Sequence, residues 1–490
     1  MIFGKNRLDK VMAKLYPTRD GRSDMMTNFE LDLFDTRIHQ SNGRHRDELS
    51  ALRHGEGEKF RCLRETVCRP SCIPILIVVA LILLVVYLPI IDDLYFSPQE
   101  KQSVACSVDC RIEIIESIPE NLTYPPEYTI HRSTFDAWRF LIDQSAKSLD
   151  LTAFYWSLRG EDVYEDPSDW QGERVFELLK SAAKGTKMRV AQSAPTMKAL
   201  GRESEILKDY GAQVRTLNMS KWFGSGVVHT KLWISDNSQA YLGSANMDWR
   251  SLTQVKELGL LITKCPCIAN DLSKIFDIYW IMGNSEIIPP AWPSKLDSEF
   301  NFENPQILKI NGIPSEVFAT SSPPEFASKG REIDSDAIVK VIGSAEKFVH
   351  ISVMSYATTT QFSKVKRFWP KIDDALRKAL FERKLKIRLL FSKWQHTKHS
   401  MVYFLKSLVD FSDALNHTRS FIEVKLFEVP SFTKRQAKIP FARVNHNKYM
   451  VTDNTAYVGT SNWEPGYFID TAGTADWNSR YATDLREFVV

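Results

Sequence analysis

The sequence predicts an α/β fold of two pseudo-symmetric halves, each a mixed sheet with covering helices, and a site where the halves meet. Three observations predict it. The pattern H-x-K-x4-D occurs twice, as His229, Lys231 and Asp236 in VVHTKLWISD and as His446, Lys448 and Asp453 in VNHNKYMVTD. Each copy runs into a turn of small residues ending in Asn: Gly243-Ser244-Ala245-Asn246 and Gly459-Thr460-Ser461-Asn462. The segments leading to both motifs alternate between strand-like and helix-like in the same order, as α/β architectures do.

In chain order, residues 1–72 are polar and mixed in charge and read as a largely flexible cytosolic tail. Residues 73–91 form an uncharged apolar run long enough for one membrane-spanning helix, and it lies too far from the start to be an ordinary cleaved signal peptide. Arg53, Lys59, Arg61, Arg64 and Arg69 precede it, against Lys101 and Arg111 after it. The positive-inside rule then gives a single-pass type II orientation, with everything beyond the span luminal. The sequons at Asn121, Asn218 and Asn416 all fall on that side. So do Cys106, Cys110, Cys265 and Cys267, an even number that suits two disulfides in an oxidising compartment. Bonds between the 106/110 pair and the 265/267 pair are favoured, because one intervening residue would strain a Cys265–Cys267 bridge. A zinc site on the same four is the rival. Cys62, Cys68 and Cys72 lie where palmitoylation occurs.

The first half (92–283) is predicted to run through strands at Ile112–Pro119 and Leu149–Tyr155, a helix at Gly172–Ala183 and a strand at Met188–Gln192 before its motif. The second (316–490) repeats this with strands at Val317–Pro324 and Val349–Tyr356, a helix at Pro370–Phe381 and a strand at Leu385–Phe391. A Pro-rich connector, 284–315, separates them. After its turn the first half has a strand at Glu257–Ile262 and a helix at Asp271–Met282; the second half has no room for an equivalent helix and is read as C-terminally shortened.

The chemistry follows from strand geometry. β-Formers surround each motif, so His229 and Lys231 project to one side, as do His446 and Lys448. Facing halves would offer two imidazoles, two ammoniums and the Asn246 and Asn462 amides. One neutral imidazole can attack phosphorus and form a phosphohistidine while the other, protonated, supplies the leaving oxygen with a proton. The lysines and asparagines, with the Ser244 and Thr460 hydroxyls, balance the phosphate charge. No metal or other cofactor is expected, since lysines supply the positive charge. One histidine neutral and one protonated implies a bell-shaped pH profile on the acid side.

The paired motifs and their GSAN and GTSN turns resemble the phospholipase D superfamily. AFYWSL (Ala153–Leu158), GSANMDWRSL (Gly243–Leu252), SSPPEF (Ser321–Phe326) and GTSNW resemble its branch of type II membrane, endolysosomal members, over residues 70 to 470. The resemblance implies two phospholipase D-like halves and digestion of single-stranded DNA or RNA from the 5′ end. Phosphatidylcholine hydrolysis is an alternative, and a non-catalytic luminal scaffold a third reading. It also implies that Glu257 in QVKELGLL orients a motif histidine, with His229 the better-oriented one. The second half has no Glu at the matching distance, and Asp470 is a weak substitute.

Composition leaves the substrate open: 43% hydrophobic, 25% charged and a net charge of +3 do not describe a strongly electrostatic nucleic-acid binder. Lys221-Trp222-Phe223 and Lys434, Arg435, Lys438 and Arg443 are candidates for a basic, aromatic groove. The expected partners are a phosphodiester (single-stranded DNA or RNA, or a phospholipid), the membrane through one helix, and a second copy of the chain in a homodimer.

Overall fold

The computed structural model describes residues 2–3, 110–361, 363, 365–416 and 420–479, all within one compact unit. The predicted tail, the span at 73–91, Cys106 and the chain after 479 lie outside the described residues. Among the described residues no helix is long and apolar enough to cross a membrane.

The first half contributes β1 (Arg111–Ser117), β2 (Ser148–Ala153), β3 (Lys187–Ser193), β4 (Gln213–Leu217), β5 (Leu232–Ser235), β6 (Gln239–Gly243) and β7 (Glu257–Thr263). The second contributes β8 (Ile313–Ser322), β9 (Phe348–Val353), β10 (Lys386–Ser392), β11 (Phe421–Phe427), β12 (Lys448–Thr452), β13 (Thr455–Gly459) and β14 (Gly473–Ser479). The first sheet runs β1-β7-β6-β5-β2-β3-β4, and the second β8-β14-β13-β12-β9-β10-β11. Pairing sense matches strand for strand. The β2-β3-β4 and β9-β10-β11 ladders are parallel and the rest of each path is antiparallel. The mixed α/β repeat expected from the sequence is therefore present, down to strand order.

Helices fill the crossovers that parallel pairs require. In the first half α1 (Thr134–Gln144) precedes β2, and α2 (Trp170–Gly185) joins β2 to β3. After β7 comes α3 (Pro266–Met282). The second half has α4 (Asp334–Ser344) before β9, α5 (Lys371–Arg383) between β9 and β10, and α6 (His399–Leu415) between β10 and β11. The predicted Asp271–Met282 helix starts earlier because Pro266 suits the first helical position, where no N–H partner is needed.

Strand alternation divides the core into three layers. Trp233, Tyr241 and Leu261 pack with α1 and α2 on one outer side. Met450 and Tyr457 pack with α4, α5 and α6 on the other. Their neighbours Leu232, Ile234, Leu242, Leu260 and Ile262 face inward, against Tyr449, Val451 and Val458 of the second sheet. Helix α3 enters this shared layer through Leu272, Ile275 and Phe276. A single helix thus packs with residues of both sheets. The inner layer fixes the two sheets face to face and brings the motif ends together. Cys110 is disulfide-bonded to Cys265, tying the start of β1 to the start of α3. Cys267 is disulfide-bonded as well.

Candidate active site

The motif histidines sit just before their strands, not on them as the sequence suggested. Each is held by the other half. The His229 N–H donates to the Ala472 carbonyl at 2.8 Å, and the His446 N–H donates to the Lys256 carbonyl at 2.8 Å. Val228 bridges to Ala472 and Asn445 to Lys256, both in parallel sense. Each histidine therefore takes its position from the chain leading into the opposite half's β7 or β14.

A cavity of about 410 Å³ opens where the halves meet, lined by His229, His446, Asn246, Asn462, Glu257 and Tyr467 among others. Both histidines are buried. Lys231 and Lys448 lie buried behind them, and each ammonium donates to its own motif's histidine carbonyl at 2.6 Å. That uses one of three N–H donors on each lysine.

The imidazoles differ in what holds them. His446 Nδ1 lies 2.8 and 3.0 Å from the two Glu257 carboxylate oxygens. His229 Nδ1 lies 2.7 Å from the Thr460 carbonyl. A carbonyl only accepts, so Nδ1 of His229 carries hydrogen and the Nε2 lone pair is left free in the neutral ring. Phe154 and Tyr467 flank that ring, with centroids at 5.4 and 4.9 Å. Glu257 is the carboxylate singled out from the sequence, but it reaches across to His446, which corrects its expected pairing with His229. Strand register explains the asymmetry. Gly259 faces Gly243 in the first sheet and Ala475 faces Gly459 in the second, so Glu257 and Gly473 are equivalent positions. A Cβ on Gly473 would meet Ser461 Oγ at 2.3 Å and Ser322 Oγ at 2.9 Å, leaving no space for a second carboxylate. Asp470 does not substitute, since it accepts from the Ser225 hydroxyl at 2.6 Å.

Electrostatics reinforce the difference. Burial, then Lys231, Lys448 and His446, hold the His229 ring well below the usual histidine range. Burial also lowers His446, but there Glu257 opposes the shift. Burial pushes Lys448 down to about 7, and burial with repulsion from Lys448 pushes Lys231 well below the lysine range. Two crowded, buried ammoniums favour an anion between them.

Other predicted site residues take supporting places. The Ser244 hydroxyl donates to Glu257 Oε2 at 2.5 Å, and Ser251 donates to Oε1 at 2.9 Å. The Thr460 hydroxyl accepts from the Thr474 N–H at 3.2 Å. Neither Ser244 nor Thr460 lines the cavity, because each hydroxyl turns to the neighbouring strand. Asp236 and Asp453, expected from their place in the motifs to be catalytic together with the histidines and lysines, are placed away from the histidines, which corrects that expectation. Asp236 accepts from the N–H groups of Ala146, Lys147 and Ser148 at 2.7–2.9 Å. Asp453 grips Glu346, Lys347 and Phe348 in the same way. Each locks the turn between a helix and the next strand.

The amides do reach the cavity. Asn246 donates to Tyr155 Oη at 3.4 Å and Asn462 to Tyr467 Oη at 3.1 Å, while both Oδ1 atoms lack a hydrogen bond among the described residues. These tyrosines were not singled out, although Tyr155 stands in the quoted AFYWSL segment. Nor were Asp248 and Arg250, a buried pair at 2.7 Å on the cavity wall, with Arg250 held to the Pro440 carbonyl. Their signal was the Asp-x-Arg spacing in GSANMDWRSL.

The expected basic groove is largely committed elsewhere. Trp222 and Phe223 pack on Phe326, and Lys221 pairs with Glu286. Arg435 bonds to Glu120 and Asp166 across the halves, and Arg443 donates to the Glu120 carbonyl. Asn121, Asn218 and Asn416 are all exposed. Among the described residues no cluster of acidic, histidine or cysteine side chains could hold a metal ion.

Residues 127–432 match the family described as "PLD3/4, PLD-like domain". The chain is 43% identical to "5'-3' exonuclease PLD3" of Homo sapiens, covering 80% of this chain and 84% of that protein. It is 41% identical to "Probable phospholipase D F09G2.8" of Caenorhabditis elegans, covering 96% and 89%. Among solved structures it aligns with phosphatidylserine synthase of Haemophilus influenzae at a TM-score of 0.46 and 11% identity, covering 72% and 82%.

Proposed function

The chain belongs to the PLD3/4 PLD-like domain family and is a phosphodiesterase of the phospholipase D superfamily; we propose from that premise that it digests single-stranded nucleic acid from the 5′ end. The observation that carries the mechanism is the unequal holding of the two histidines. His229, neutral with its Nε2 lone pair free, attacks phosphorus. The P–O bond to the leaving group breaks, and that oxygen takes the proton from Nε2 of His446, whose cation Glu257 stabilises. His446, now neutral, removes a proton from water. The water oxygen attacks phosphorus, the P–N bond breaks, and His229 is released unchanged.

Lys231, Lys448, Asn246 and Asn462 hold the non-bridging oxygens, so the chain's own cations supply the charge a metal would. The ammoniums regain full protonation when the phosphate arrives. The work is placed in an endolysosomal lumen, with residues 73–91 as a type II anchor and Asn121, Asn218 and Asn416 carrying glycans. The sequons and basic flank support that placement. Lowered histidine pKa values also suit an acidic compartment, since His229 stays neutral there.

The test is digestion of a 5′-hydroxyl single-stranded oligonucleotide by the full-length protein in detergent with EDTA, beside His446→Ala. Stepwise shortening, absent in the variant, supports the reading. Choline release from phosphatidylcholine without nuclease activity would replace it with the phospholipase named for the worm relative.

A further inference from the structure

A side cavity of about 340 Å³ opens beside the catalytic one and shares Met354, Trp394, Phe441, Asn462 and Tyr467 with it. Its mouth is aromatic. His396 and Phe441 stack with centroids 4.8 Å apart and planes at 17°, and Trp394 meets His396 edge-on at 4.7 Å. Phe441 is 58% exposed, although it lies beside two cavities. Its φ is +55°, a left-handed conformation that costs a bulky side chain energy. The carbonyl of Pro440, one residue earlier, is held by Arg250 of the other half. The ring is thus presented to solvent from a pinned, strained backbone.

The cavity also holds a carboxylate with hydrogen-bonding capacity to spare. Glu464 is 5% exposed, and its Oε2 has no hydrogen bond among the described residues. The Lys398 ammonium pairs with that oxygen at 3.8 Å, an ion pair longer than a hydrogen bond. The pair offsets part of the cost of burying the carboxylate, and an N–H donor at hydrogen-bond distance offsets more.

We propose that this side cavity receives the nucleobase beside the phosphate under attack, stacking it on Phe441 and reading its N–H edge through Glu464. The assignment rests on the nucleic-acid reading above. A quaternary ammonium is the other guest that aromatic walls and a carboxylate suit, but it is held by ring faces on several sides. Here two rings spend faces on each other, and Phe441, 58% exposed, still offers aromatic surface to solvent on which a base can stack. Guanine presents two adjacent N–H donors on its Watson–Crick edge to a carboxylate. Thymine presents one, flanked by carbonyl oxygens that a carboxylate repels.

Oligonucleotides that differ only in the reacting 5′ nucleotide (guanine, thymine or abasic) test this with the full-length protein. The wild type releases the guanine end about tenfold faster than the thymine end, and the thymine end about tenfold faster than the abasic one. Glu464→Gln brings the guanine/thymine ratio near one. Phe441→Ala, a surface change, brings the thymine/abasic ratio near one. Each protein is its own control, because only ratios are read.

Equal wild-type rates on guanine and thymine, or a ratio that survives Glu464→Gln, overturns the assignment. So does loss of phosphatidylcholine hydrolysis in both variants with the oligonucleotide ratios unmoved, which marks a headgroup cage. If bis(p-nitrophenyl) phosphate is hydrolysed but no oligonucleotide is, the nuclease reading fails separately. Equilibrium dialysis then decides the cavity: wild type binding guanosine monophosphate over thymidine monophosphate, with the preference lost in Glu464→Gln, supports it, and equal binding overturns it.

Discussion

The carboxylate of Glu257 crosses from the first half to Nδ1 of His446 in the second, at 2.8 Å, and nothing equivalent returns. Gly473 occupies the matching register, so His229 has only the Thr460 carbonyl. A pseudo-symmetric scaffold therefore carries an asymmetric pair, one histidine backed by an anion and the other by a neutral dipole.

Glu257→Gln is predicted to lower kcat/KM by about a hundredfold, the scale of a lost acid–base contribution. It also shifts the pH profile. Glu257 raises the His446 pKa against burial. Removing its charge lowers that pKa further, so the proton His446 must donate is lost at lower pH. The alkaline limb of kcat/KM moves to lower pH while the acid limb, set by His229, stays. An alkaline limb that does not move sinks the Glu257 assignment.

Phosphate binding should take up protons. Lys448 is pushed down to about 7 in the empty cleft, and a bound anion raises it. Between that value and the restored one, each binding event draws protons from solvent. Titration calorimetry with inorganic phosphate at pH 8, in buffers of different ionisation enthalpy, measures the uptake. Lys448→Met should reduce it; unchanged uptake would place the proton elsewhere.

Asp236→Ala and Asp453→Ala are predicted to act on stability. Each carboxylate accepts backbone N–H groups at a helix-to-strand turn. Losing them costs about 1–2 kcal/mol after allowance for solvent screening, seen as a lower Tm. Activity per folded molecule should remain within about threefold on the hydrogen-bond scale of a distant site. A hundredfold loss of kcat in a fully folded variant would restore the catalytic role expected of them.

Asp476 gives a pH signature of its own. Burial pushes its carboxyl up to about 8 from an ordinary value of 3.8. The folded state thus binds a proton that the unfolded chain releases. Its contribution is fully present below about pH 4 and is lost as pH rises towards 8. Asp476→Asn stays neutral throughout, so its Tm advantage over wild type should grow from pH 5 to pH 8 and then level off. A pH-independent difference would mean that Asp476 is ionised in the fold.

The sequence made the repeat legible because alternation and turn chemistry act locally: Leu232, Ile234 and Tyr241 announce their faces whatever the partner. What it concealed was set by contacts between the halves. Four residues of strand separate Lys231 from Asp236, five steps or about 17 Å, so a motif contiguous in sequence spans two sites in space. Glu257 was identifiable, but its partner depended on which half its strand entrance crosses. Arg435 and Arg443 read as substrate-binding charge because Glu120 and Asp166, hundreds of residues earlier, give no local sign of claiming them. Tyr155 and Tyr467 escaped notice because a tyrosine in an apolar run reads as core.

The central claim is that His229 attacks and His446 serves as acid and then base. The direct measurement uses the His446→Asn variant with bis(p-nitrophenyl) phosphate, whose leaving group needs little help from an acid. The reaction is quenched in alkali to spare the P–N bond and mapped by peptide mass spectrometry. The account predicts a phosphoryl adduct on His229 that accumulates because no base remains to activate water. An adduct on His446 in the His229→Asn variant, with none on His229 in the converse one, would contradict it.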